Sequence, residues 1–375
     1  MRPERPVLFL ISPSKTPCGV EMFARGFAAA TRELGVKTET LAADGRPSDI
    51  VALWRQLAGA GALVVNLPVV AWKKALLLPL VALLMARGRG VAPVVVLHEW
   101  ADLNPLRRAF IGLYLLAARV VLFSSPTVRR EFASSFIARW PLTTGLVPIP
   151  PNIAPPERRF ASPLVERLAQ ERARGRLVLG HFGSIYPRKQ SALVLDIADA
   201  LKRSGTDVFV VFIGGFIKGH DDVEGQFRAR ARALGLEDDI LVTGYVETDA
   251  EIFALFEAVD VFAYCFHEGL TSRRGSVLAC LQSGRPVVVN APSLATEFDH
   301  HPAFKRLIAS GALRFVPTDA DPREFARVIS MLGGQGRIQP PFFAGAWRDA
   351  ALALRGALAP SDLAHGPAEG RIRKA

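Results

Sequence analysis

The chain has 375 residues, half of them apolar, and a formal net charge of +11. A chain of this length exceeds one ordinary hydrophobic core, so we expect two domains of roughly 150–200 residues each. The positive charge predicts acidic partners. No nucleic acid is expected, because the cations are scattered and no zinc spacing or RNA-binding aromatic signature accompanies them. Phosphorylated small molecules fit better, with an anionic membrane surface as a further candidate partner.

The cysteines and the apolar segments bear on the compartment. Cys18, Cys265 and Cys280 show no paired spacing, which predicts a reducing, cytoplasmic location. The first apolar run has only five residues, so it is typical of a strand rather than of a signal peptide. The longest apolar segment, 75–86, contains a proline and is too short to span a bilayer. It predicts a buried or half-buried helix, or alternatively a basic, apolar surface at the inner face of a membrane.

The first 150 residues alternate apolar strand patterns with helical periodicity, which is typical of a doubly wound α/β domain. Strands are predicted at 7–11, 38–41, 62–66, 91–97 and 120–124, and helices at 21–34, 47–58, 105–118 and 126–135. The segment 146–156 carries five prolines in eleven residues and predicts an interdomain linker.

A second alternation follows the linker. Strands are predicted at 177–182, 208–213, 240–243, 259–266, 286–289 and 313–316, and helices at 163–174, 190–203, 223–234, 249–257, 275–282 and 322–332. An amphipathic helix is predicted at 342–358, followed by a flexible tail. We therefore expect domains at 1–150 and 151–340, a C-terminal helix at 341–358 and a tail at 359–375.

The stretch 264–290 carries the strongest chemical signal. A predicted strand ends in a loop with Glu268, Arg273 and Arg274, and a helix and another strand follow. A right-handed βαβ crossover places this loop at the carboxyl edge of a parallel sheet, where ligands collect. The arginines are suited to phosphate, and the carboxylate is suited to sugar hydroxyls. The loop therefore predicts a site for the diphosphate-sugar end of a nucleotide sugar.

Other strand ends of the second half carry glycines and cations. The loop after the strand at 177–182 holds Gly183, Ser184, Arg188 and Lys189, which are candidates for binding the donor diphosphate. A solvated basic turn has the same composition. Gly214, Gly244 and Tyr245 follow the next two strands and suit contact with a base or ribose, although simple turn chemistry explains them equally well.

In the first half, Gly19, Val20 and Glu21 open a helix after a strand, and His98 follows a buried strand. Amide groups at a helix start and a histidine at a strand end are candidates for binding an acceptor or donor, and the ordinary alternative for His98 is a satisfied core or surface residue. His300 and His301, with nearby carboxylates, resemble a metal cluster only superficially, because adjacent ligands point apart. No Ser-His-Asp order, P-loop or zinc signature is present, and no base partners a cysteine nucleophile.

Together these stretches resemble the family 4 retaining glycosyltransferases of GT-B fold, and the resemblance covers nearly the whole chain. The segments 17–21 and 98–99 are similar to the family's Gly-Gly-Val-Glu loop and strand-end histidine, and 148–152 to its Pro-Asn-Gly linker. The segments 182–189, 242–246 and 283–288 are similar to its diphosphate loop, its Phe-Thr-Gly-Tyr-Val stretch and its Gly-x-Pro-Val-Val motif.

The chain departs from the family pattern at three places. Cys18 replaces the first Gly of the loop before the first helix, and Ser184 stands where the family has Arg. The family's pair of Glu residues, which are separated by seven intervening residues, is absent. Counting from Glu268 places Ser276 at the second position, and counting back from Gly284 places Thr271 and Ala279 at the two positions. Arg273, Arg274 and Ser276 are our candidates for the missing contacts.

The resemblance implies two Rossmann-like domains that face a cleft, with the C-terminal helix crossing back to the first domain. It also implies transfer of a sugar from a nucleotide diphosphate donor to a hydroxyl of a polysaccharide, lipid or other glycoconjugate, with retention and without a metal or cofactor. His98 and Glu268 are then the candidate catalytic residues. Gly19, Val20 and Glu21 line the acceptor side, and closure about the proline linker brings the domains together.

Two other interpretations remain open on the sequence. One is a nucleotide-sugar epimerase of the same architecture, which shares the donor chemistry but needs no acceptor groove. The other is a non-catalytic scaffold that binds nucleotide sugars, as the missing second Glu would allow. Turnover of a nucleotide sugar separates these interpretations from one another.

Overall fold

The computed structural model describes residues 5–14, 18–158, 160–185, 190–217, 222–332 and 345–359, apart from the Lys74 side chain. They divide into two compact units. The first contains the described residues up to Pro150, the short segment Thr296–Pro302 and the C-terminal helix. The second contains the remaining described residues. The segment Thr296–Pro302 therefore leaves the second unit and returns to it, which the sequence did not indicate.

The first unit is built on a six-stranded parallel sheet in the order β2-β1-β3-β4-β5-β6. Its strands are β1 (Val7–Ile11), β2 (Thr38–Ala42), β3 (Ala62–Leu67), β4 (Ala92–Leu97), β5 (Val120–Phe123) and β6 (Thr143–Leu146). The sheet was predicted except for β6, whose sequence TTGL has neither an apolar run nor a clear alternation. It pairs in register with β5 at the edge of the sheet.

Helices cover both faces of this sheet. They are α1 (Gly19–Glu33), α2 (Pro47–Leu57), α3 (Leu77–Gly88), α4 (Pro105–Ala117) and α5 (Pro126–Ala133), with 3₁₀ helices at Val70–Lys74 and Phe136–Arg139. The C-terminal helix α13 (Ala346–Leu358) packs on α1 and β6. Its described part lies within the first unit, and the predicted residues 342–344 lie outside the described ranges.

Helix starts in this chain follow local chemistry. Asn104 and Ser125 each precede a proline and accept a hydrogen bond from a backbone N–H in the first turn, at 2.8 Å for Asn104 and 3.1 Å for Ser125. Such caps provide acceptors for amide groups that would otherwise have no partner. Proline at the first helical position loses no hydrogen bond, because the N–H at that position has no partner within the helix. These two features explain why the predicted starts of α4 and α5 agree with the structure.

The second unit has its own six-stranded parallel sheet, in the order β12-β11-β10-β7-β8-β9. Its strands are β7 (Leu177–Phe182), β8 (Val208–Ile213), β9 (Ile240–Val242), β10 (Val261–Tyr264), β11 (Val287–Asn290) and β12 (Leu313–Val316). The chain runs outward from β7 to β9 and then returns to the other side of β7. This is the doubly wound Rossmann order, and its topological switch point lies between β7 and β10.

The helices of the second unit are α6 (Pro163–Ala173), α7 (Leu193–Arg203), α8 (Val223–Ala233), α9 (Asp249–Ala258), α10 (Gly275–Gln282), α11 (Pro302–Ala309) and α12 (Pro322–Leu332), with a 3₁₀ helix at Glu237–Asp239. The sequence did not predict α11, whose eight residues follow two histidines in an irregular stretch. Within the described residues, no helix is both long and apolar enough to cross a bilayer.

A buried carboxylate in the second unit, Glu171, pairs with several arginines. Glu171 on α6 is fully buried and accepts hydrogen bonds from Arg167, Arg174 and Arg176 at 2.9–3.1 Å. Arg176 also pairs with Asp207 and Asp239. Burial by itself would raise the pKa of Glu171, but the hydrogen bond from Arg176 and the neighbouring arginine charges outweigh it, so the pKa is lowered. The pKa of Asp239 is lowered in the same way, by Lys202 and Arg176.

These two shifts predict a loss of stability in acid. Folding lowers both pKa values below the ordinary 4.5 and 3.8, so their stabilisation is present above those values and is lost as pH falls through the folded ones. Thermal unfolding followed from pH 7 to pH 3 should show it. At pH 7, Glu171→Gln should lower the free energy of unfolding by about 3 kcal/mol and flatten the acid limb. The exposed pair Glu224–Arg228 provides a control, because Glu224→Gln should change stability by less than about 1 kcal/mol. Equal acid limbs in wild type and Glu171→Gln would contradict the assignment.

Candidate functional site

Two loops flank the switch point of the second unit. One follows β7 and contains Gly183, and the other follows β10 and contains Glu268, Arg273 and Arg274. Because β7 and β10 are neighbours and parallel, both loops leave the same edge of the sheet. Ligands of doubly wound sheets bind at this edge.

Tyr264 fixes the two strands to each other at this point. Its hydroxyl donates to the Phe182 carbonyl at 3.0 Å and accepts from the Phe182 amide at 3.2 Å. Cys280 Sγ lies 3.3 Å from the same hydroxyl. Burial, followed by Cys280, raises the pKa of Tyr264 well above its ordinary value, although Phe182 and Ser276 oppose the shift. Tyr264 is therefore a neutral structural tie, and Ser276 lies beside it. Tyr264 was not predicted to have this role, because in the sequence it is an apolar residue at the end of a buried strand.

The loop after β10 is held by its own charges. Glu268 Oε1 accepts from Arg274 at 2.8 Å and from Arg273 at 3.4 Å. The Arg274 guanidinium also lies over the Phe266 ring, 4.5 Å from its centroid. The arginine side chains are 9% and 20% exposed, against 33% for Glu268. Three predicted residues thus form one partly buried cluster directly before α10, with two cations to one carboxylate.

Thr271 lies in the middle of this loop and is a residue that sequence reasoning did not select. It is buried, and its hydroxyl has no hydrogen-bond partner within the described residues. Buried hydroxyl groups are normally paired, and leaving one unpaired costs about 1–3 kcal/mol. A ligand hydroxyl or phosphate oxygen would satisfy it. The only sequence signal was positional, since Thr271 stands where counting back from Gly284 places the family's first Glu.

Replacing this hydroxyl by a methyl group should separate stability from binding. We expect Thr271→Val to keep or raise the free energy of unfolding by up to about 1 kcal/mol, because the unpaired polar group is removed. The same change should raise the KM for the ligand of this site. Thr127→Val is the matched control, since Thr127 Oγ1 donates to the buried Glu297 at 2.7 Å and its loss should destabilise. Equal destabilisation by both changes would exclude the interpretation.

Three glycines bring loop backbones together on the other side of the switch point. Gly183 has φ +123° and Gly214 has φ +142°, and a Cβ on Gly214 would lie 2.4 Å from the Gly183 carbonyl oxygen. Gly215 lies close to Gly244, and the adjacent Tyr245 is 86% exposed. Ser184 is exposed beside Gly183. The left-handed backbone of Gly183 and Gly214 and the close approach at Gly214 require glycine. The predicted residues Arg188 and Lys189 lie outside the described ranges.

A buried histidine on β7 lies directly before the loop that contains Gly183. His181 is fully buried, with Nδ1 3.1 Å from the Ala263 carbonyl oxygen and Nε2 3.4 Å from Ser191 Oγ. A carbonyl can only accept, so Nδ1 carries the proton and Nε2 accepts from the serine. His181 therefore ties β7 to β10 and to the start of the following helix.

In the first unit, the Glu21 side chain is buried and hydrogen-bonded. It is 1% exposed, and its Oε1 accepts from the Ser12 amide at 2.9 Å and from Arg25 at 3.3 Å. Burial raises the pKa of Glu21, and the Ser12 amide and Arg25 oppose that shift. The carboxylate thus links Ser12, directly after β1, to α1, while Gly19 and Val20 form the first turn of the helix.

His98 follows β4 and is 7% exposed. Its Nε2 lies 3.2 Å from Oδ1 of Asn66 on β3, and its ring packs edge-on against Phe23. An amide oxygen only accepts, so this contact places a proton on Nε2. Asn66 was not identified from the sequence, where it is a single polar residue at the end of an apolar strand.

The segment around His300 and His301 is a structural connection. Glu297 accepts from the Thr127 amide and hydroxyl at the start of α5, and His301 Nε2 lies 3.0 Å from the Ile149 carbonyl oxygen. Burial, together with His301, lowers the pKa of His300 to about 3. Among the described residues, no group of three or more His, Cys, Asp or Glu is arranged to hold a metal.

Two of the described cysteines are unsuited to nucleophilic chemistry. Cys265 and Cys280 are buried. Burial raises the pKa of Cys265 to about 11 and that of Cys280 further still. Thiols of this kind carry almost no thiolate at neutral pH.

A comparison with known protein families finds a match that lies mostly in the second half of the chain. Residues 176–333 match the sequence profile of the family described as Glycosyl transferases group 1. This range contains the switch point, the glycine loops and the cluster of Glu268 with its two arginines. A search of curated protein sequences found no match at the same stringency.

Solved structures with similar coordinates include Anabaena HepE in complex with UDP and glucose, which is 19% identical over 93% of this chain and 95% of that chain, with a TM-score of 0.59. Sucrose-phosphate synthase from Thermosynechococcus elongatus is 12% identical over 94% and 96%, with a TM-score of 0.59. These likenesses support the fold. Residues 176–333 therefore match the group 1 glycosyltransferase profile, within a chain that has the two-sheet GT-B fold of these solved structures.

Proposed function

We propose that the chain transfers a glycosyl group from a nucleoside diphosphate sugar to a hydroxyl group of a glycan or lipid-linked acceptor, with retention of anomeric configuration. The observation that carries the proposal is the pair of loops at the switch point of the second unit. The loop after β7 places Gly183 against Gly214 at the end of β8, and the loop after β10 presents the cluster of Glu268, Arg273 and Arg274 before α10.

The chemistry of transfer requires positive charge at this point. The bond between the anomeric carbon and the diphosphate oxygen breaks, and its electron pair stays on the diphosphate. The acceptor oxygen bonds to the same face of the sugar, and its proton passes to the leaving phosphate oxygen. Groups that bind the developing charge more strongly than the ground state accelerate the reaction. Arg273 and Arg274 are suited to this role, and we assign the same role to Arg188 and Lys189.

Glu268 and the neighbouring polar groups suit the sugar and nucleoside. Glu268 is the most exposed member of its cluster and can accept hydrogen bonds from sugar hydroxyls. We assign the nucleoside to Gly214, Gly244 and Tyr245, whose exposed ring offers a stacking face, and to Ser276 near Tyr264. Because two cations face one carboxylate, we propose that transfer needs no metal.

We assign acceptor binding to the first unit. Gly19 and Val20 present amide groups at the start of α1, and Glu21 accepts a hydrogen bond from the Ser12 amide after β1. His98, whose Nε2 proton is directed to Asn66, is our candidate for contact with the reacting sugar.

A panel of UDP-, GDP- and ADP-sugars tests the proposal. Structures of HepE were obtained with UDP-glucose, so UDP-sugars are the first choice. A real donor at 100 times its Kd should stabilise the fold by about 2.7 kcal/mol in a thermal-shift assay. Release of nucleoside diphosphate should continue in EDTA, and NMR of the product should show the donor's anomeric configuration.

The outcomes distinguish the alternatives. Stabilisation without turnover would indicate a binding scaffold, and a changed sugar on the intact nucleotide would indicate an epimerase. An inverted product or complete inhibition by EDTA would contradict the retaining, metal-independent mechanism. A folded chain that no nucleotide sugar stabilises would exclude the proposal altogether.

A further inference from the structure

One helical layer of the first unit forms a continuous outer surface. Helix α3 packs against α2 and α4, and their buried sides share one core. The 3₁₀ helix Phe136–Arg139 lies beside α4, where Ile137 occupies the space over Gly112. We call the outward side of these elements and of the 3₁₀ helix Val70–Lys74 the outer layer.

The outer layer carries most of the exposed large apolar side chains described in this chain. Leu77 and Leu84 on α3 are 62% and 52% exposed, and Leu106 and Leu113 on α4 are 65% and 47% exposed. Each pair is seven residues apart, which places both members on the same side of a helix. The others are Val51, Trp54, Val70, Phe136 and Trp140. Single exposed apolar residues are ordinary, but a cluster of this kind marks an interaction surface.

An apolar groove lies between two elements of the layer. Trp72, Leu76 and Pro79 line one side, and Phe110 and Tyr114 line the other. The Tyr114 hydroxyl donates to the Leu76 carbonyl and holds the two sides together. The surface between the exposed leucines of α3 and those of α4 is therefore also apolar.

The same region is basic. From the start of α2 at residue 47 to residue 139 the sequence has eleven Lys or Arg residues and four acidic ones, Asp49, Glu99, Asp102 and Glu131. Exposed cations on or beside the layer include Arg55, Lys73, Arg87, Arg119 and Arg139. The Arg89 guanidinium lies 3.5 Å from the centroid of the Trp54 ring and joins the ends of α2 and α3.

We infer that the outer layer binds the surface of an anionic lipid bilayer. The leucines of α3 and α4 enter the boundary between headgroups and acyl chains, and the surrounding cations contact headgroup phosphates. Apolar burial combined with attraction to anionic lipids is the general basis of interfacial binding. A nucleic acid would use the cations but would leave the leucines in water. A second copy of the chain would bring two cationic surfaces together, which like-charge repulsion disfavours.

Co-sedimentation with lipid vesicles tests the inference on the full chain. Vesicles of phosphatidylcholine with phosphatidylglycerol should bind the protein, and vesicles of phosphatidylcholine alone should bind it much less. The double substitution Leu106→Ser and Leu113→Ser should weaken binding by about tenfold or more. The double substitution Lys73→Gln and Arg87→Gln should weaken it by about fivefold per cation, with the effect fading at high salt.

Controls on the second unit match each change. Met331 on α12 is 64% exposed, and Arg232 on α8 is 62% exposed, so Met331→Ser and Arg232→Gln should leave vesicle binding unchanged. All the substituted side chains are surface-exposed, and the thermal midpoint of each variant should equal that of wild type. Release of nucleoside diphosphate from a donor in solution should also persist, which keeps this test separate from the proposed transfer activity.

Several results would overturn the inference. Wild-type protein that stays in the supernatant with anionic vesicles is one, and leucine variants that bind as wild type are another. Binding to an RNA oligonucleotide that removes the protein from vesicles and ignores the leucines would assign the surface to nucleic acid. A dimer in solution that the leucine substitutions dissociate would assign it to a second copy of this chain.

Discussion

We expect Arg274→Gln to transfer sugar about 100-fold more slowly than wild type, with most of the loss in kcat. Arg274 pairs with Glu268 at 2.8 Å and lies over Phe266, so its guanidinium is held in place before a ligand arrives. Glutamine keeps hydrogen-bonding capacity but removes the charge that would stabilise the leaving diphosphate. Glu268 also loses its shorter ion pair, which should disturb its contact with the sugar.

The control for this change is Arg228→Gln on α8. Arg228 is exposed and pairs with a carboxylate four residues away, so its loss should leave kcat and KM near wild type. Initial rates across donor concentrations, together with thermal midpoints, provide the measurement. A loss smaller than about threefold in a folded Arg274→Gln protein would show that this cluster does not stabilise the leaving group.

Gly269→Ala should both destabilise the second unit and remove activity. Gly269 has φ +74°, and an added Cβ would lie 1.9 Å from the Ala291 carbonyl oxygen. Neither the left-handed backbone nor a backbone oxygen can adjust cheaply. We expect the free energy of unfolding to fall by about 2–4 kcal/mol, or the loop from 267 to 274 to move. In both cases Glu268 and the arginines lose their arrangement.

Gly356→Ala is the matched glycine substitution. Gly356 lies in α13, and an added Cβ would meet no atom within 4 Å. Alanine there should stabilise the protein by about 0.5–1 kcal/mol because it favours the helix. Denaturant unfolding and initial rates of both variants provide the comparison. Wild-type stability and activity in Gly269→Ala would mean that the loop backbone does not take this path.

Much of the secondary structure could be predicted because its causes are local. Continuous apolar runs such as Val208–Ile213 predicted buried parallel strands, and β8 has those bounds. The predicted helix starts at 105 and 126 agree with the structure, and the caps at Asn104 and Ser125 explain the agreement. The alternation of strands and helices then predicted two doubly wound sheets, which the strand orders confirm.

Elements without a local signal were missed. β6 has the sequence TTGL and is a strand because β5 offers an open edge, and α11 is a helix of eight residues. The apolar segment 75–86 was expected to be a buried or half-buried helix, and α3 does bury Leu78, Ala82 and Leu83. Leu77 and Leu84 nevertheless face outward, because a helix on a sheet can bury only one side.

The sequence by itself determined which residue types stand at the strand ends: the glycines, the cluster of Glu268 with its arginines, and His98. Only the tertiary structure decided how they pair. Tyr264 contacts Phe182, Asn66 contacts His98, and Thr271 is left without a partner among the described residues. Each of these facts depends on strands or loops that are distant in sequence becoming neighbours. Local chemistry fixes where a strand or helix begins, whereas side chains meet across a sheet only once the order and register of its strands are set.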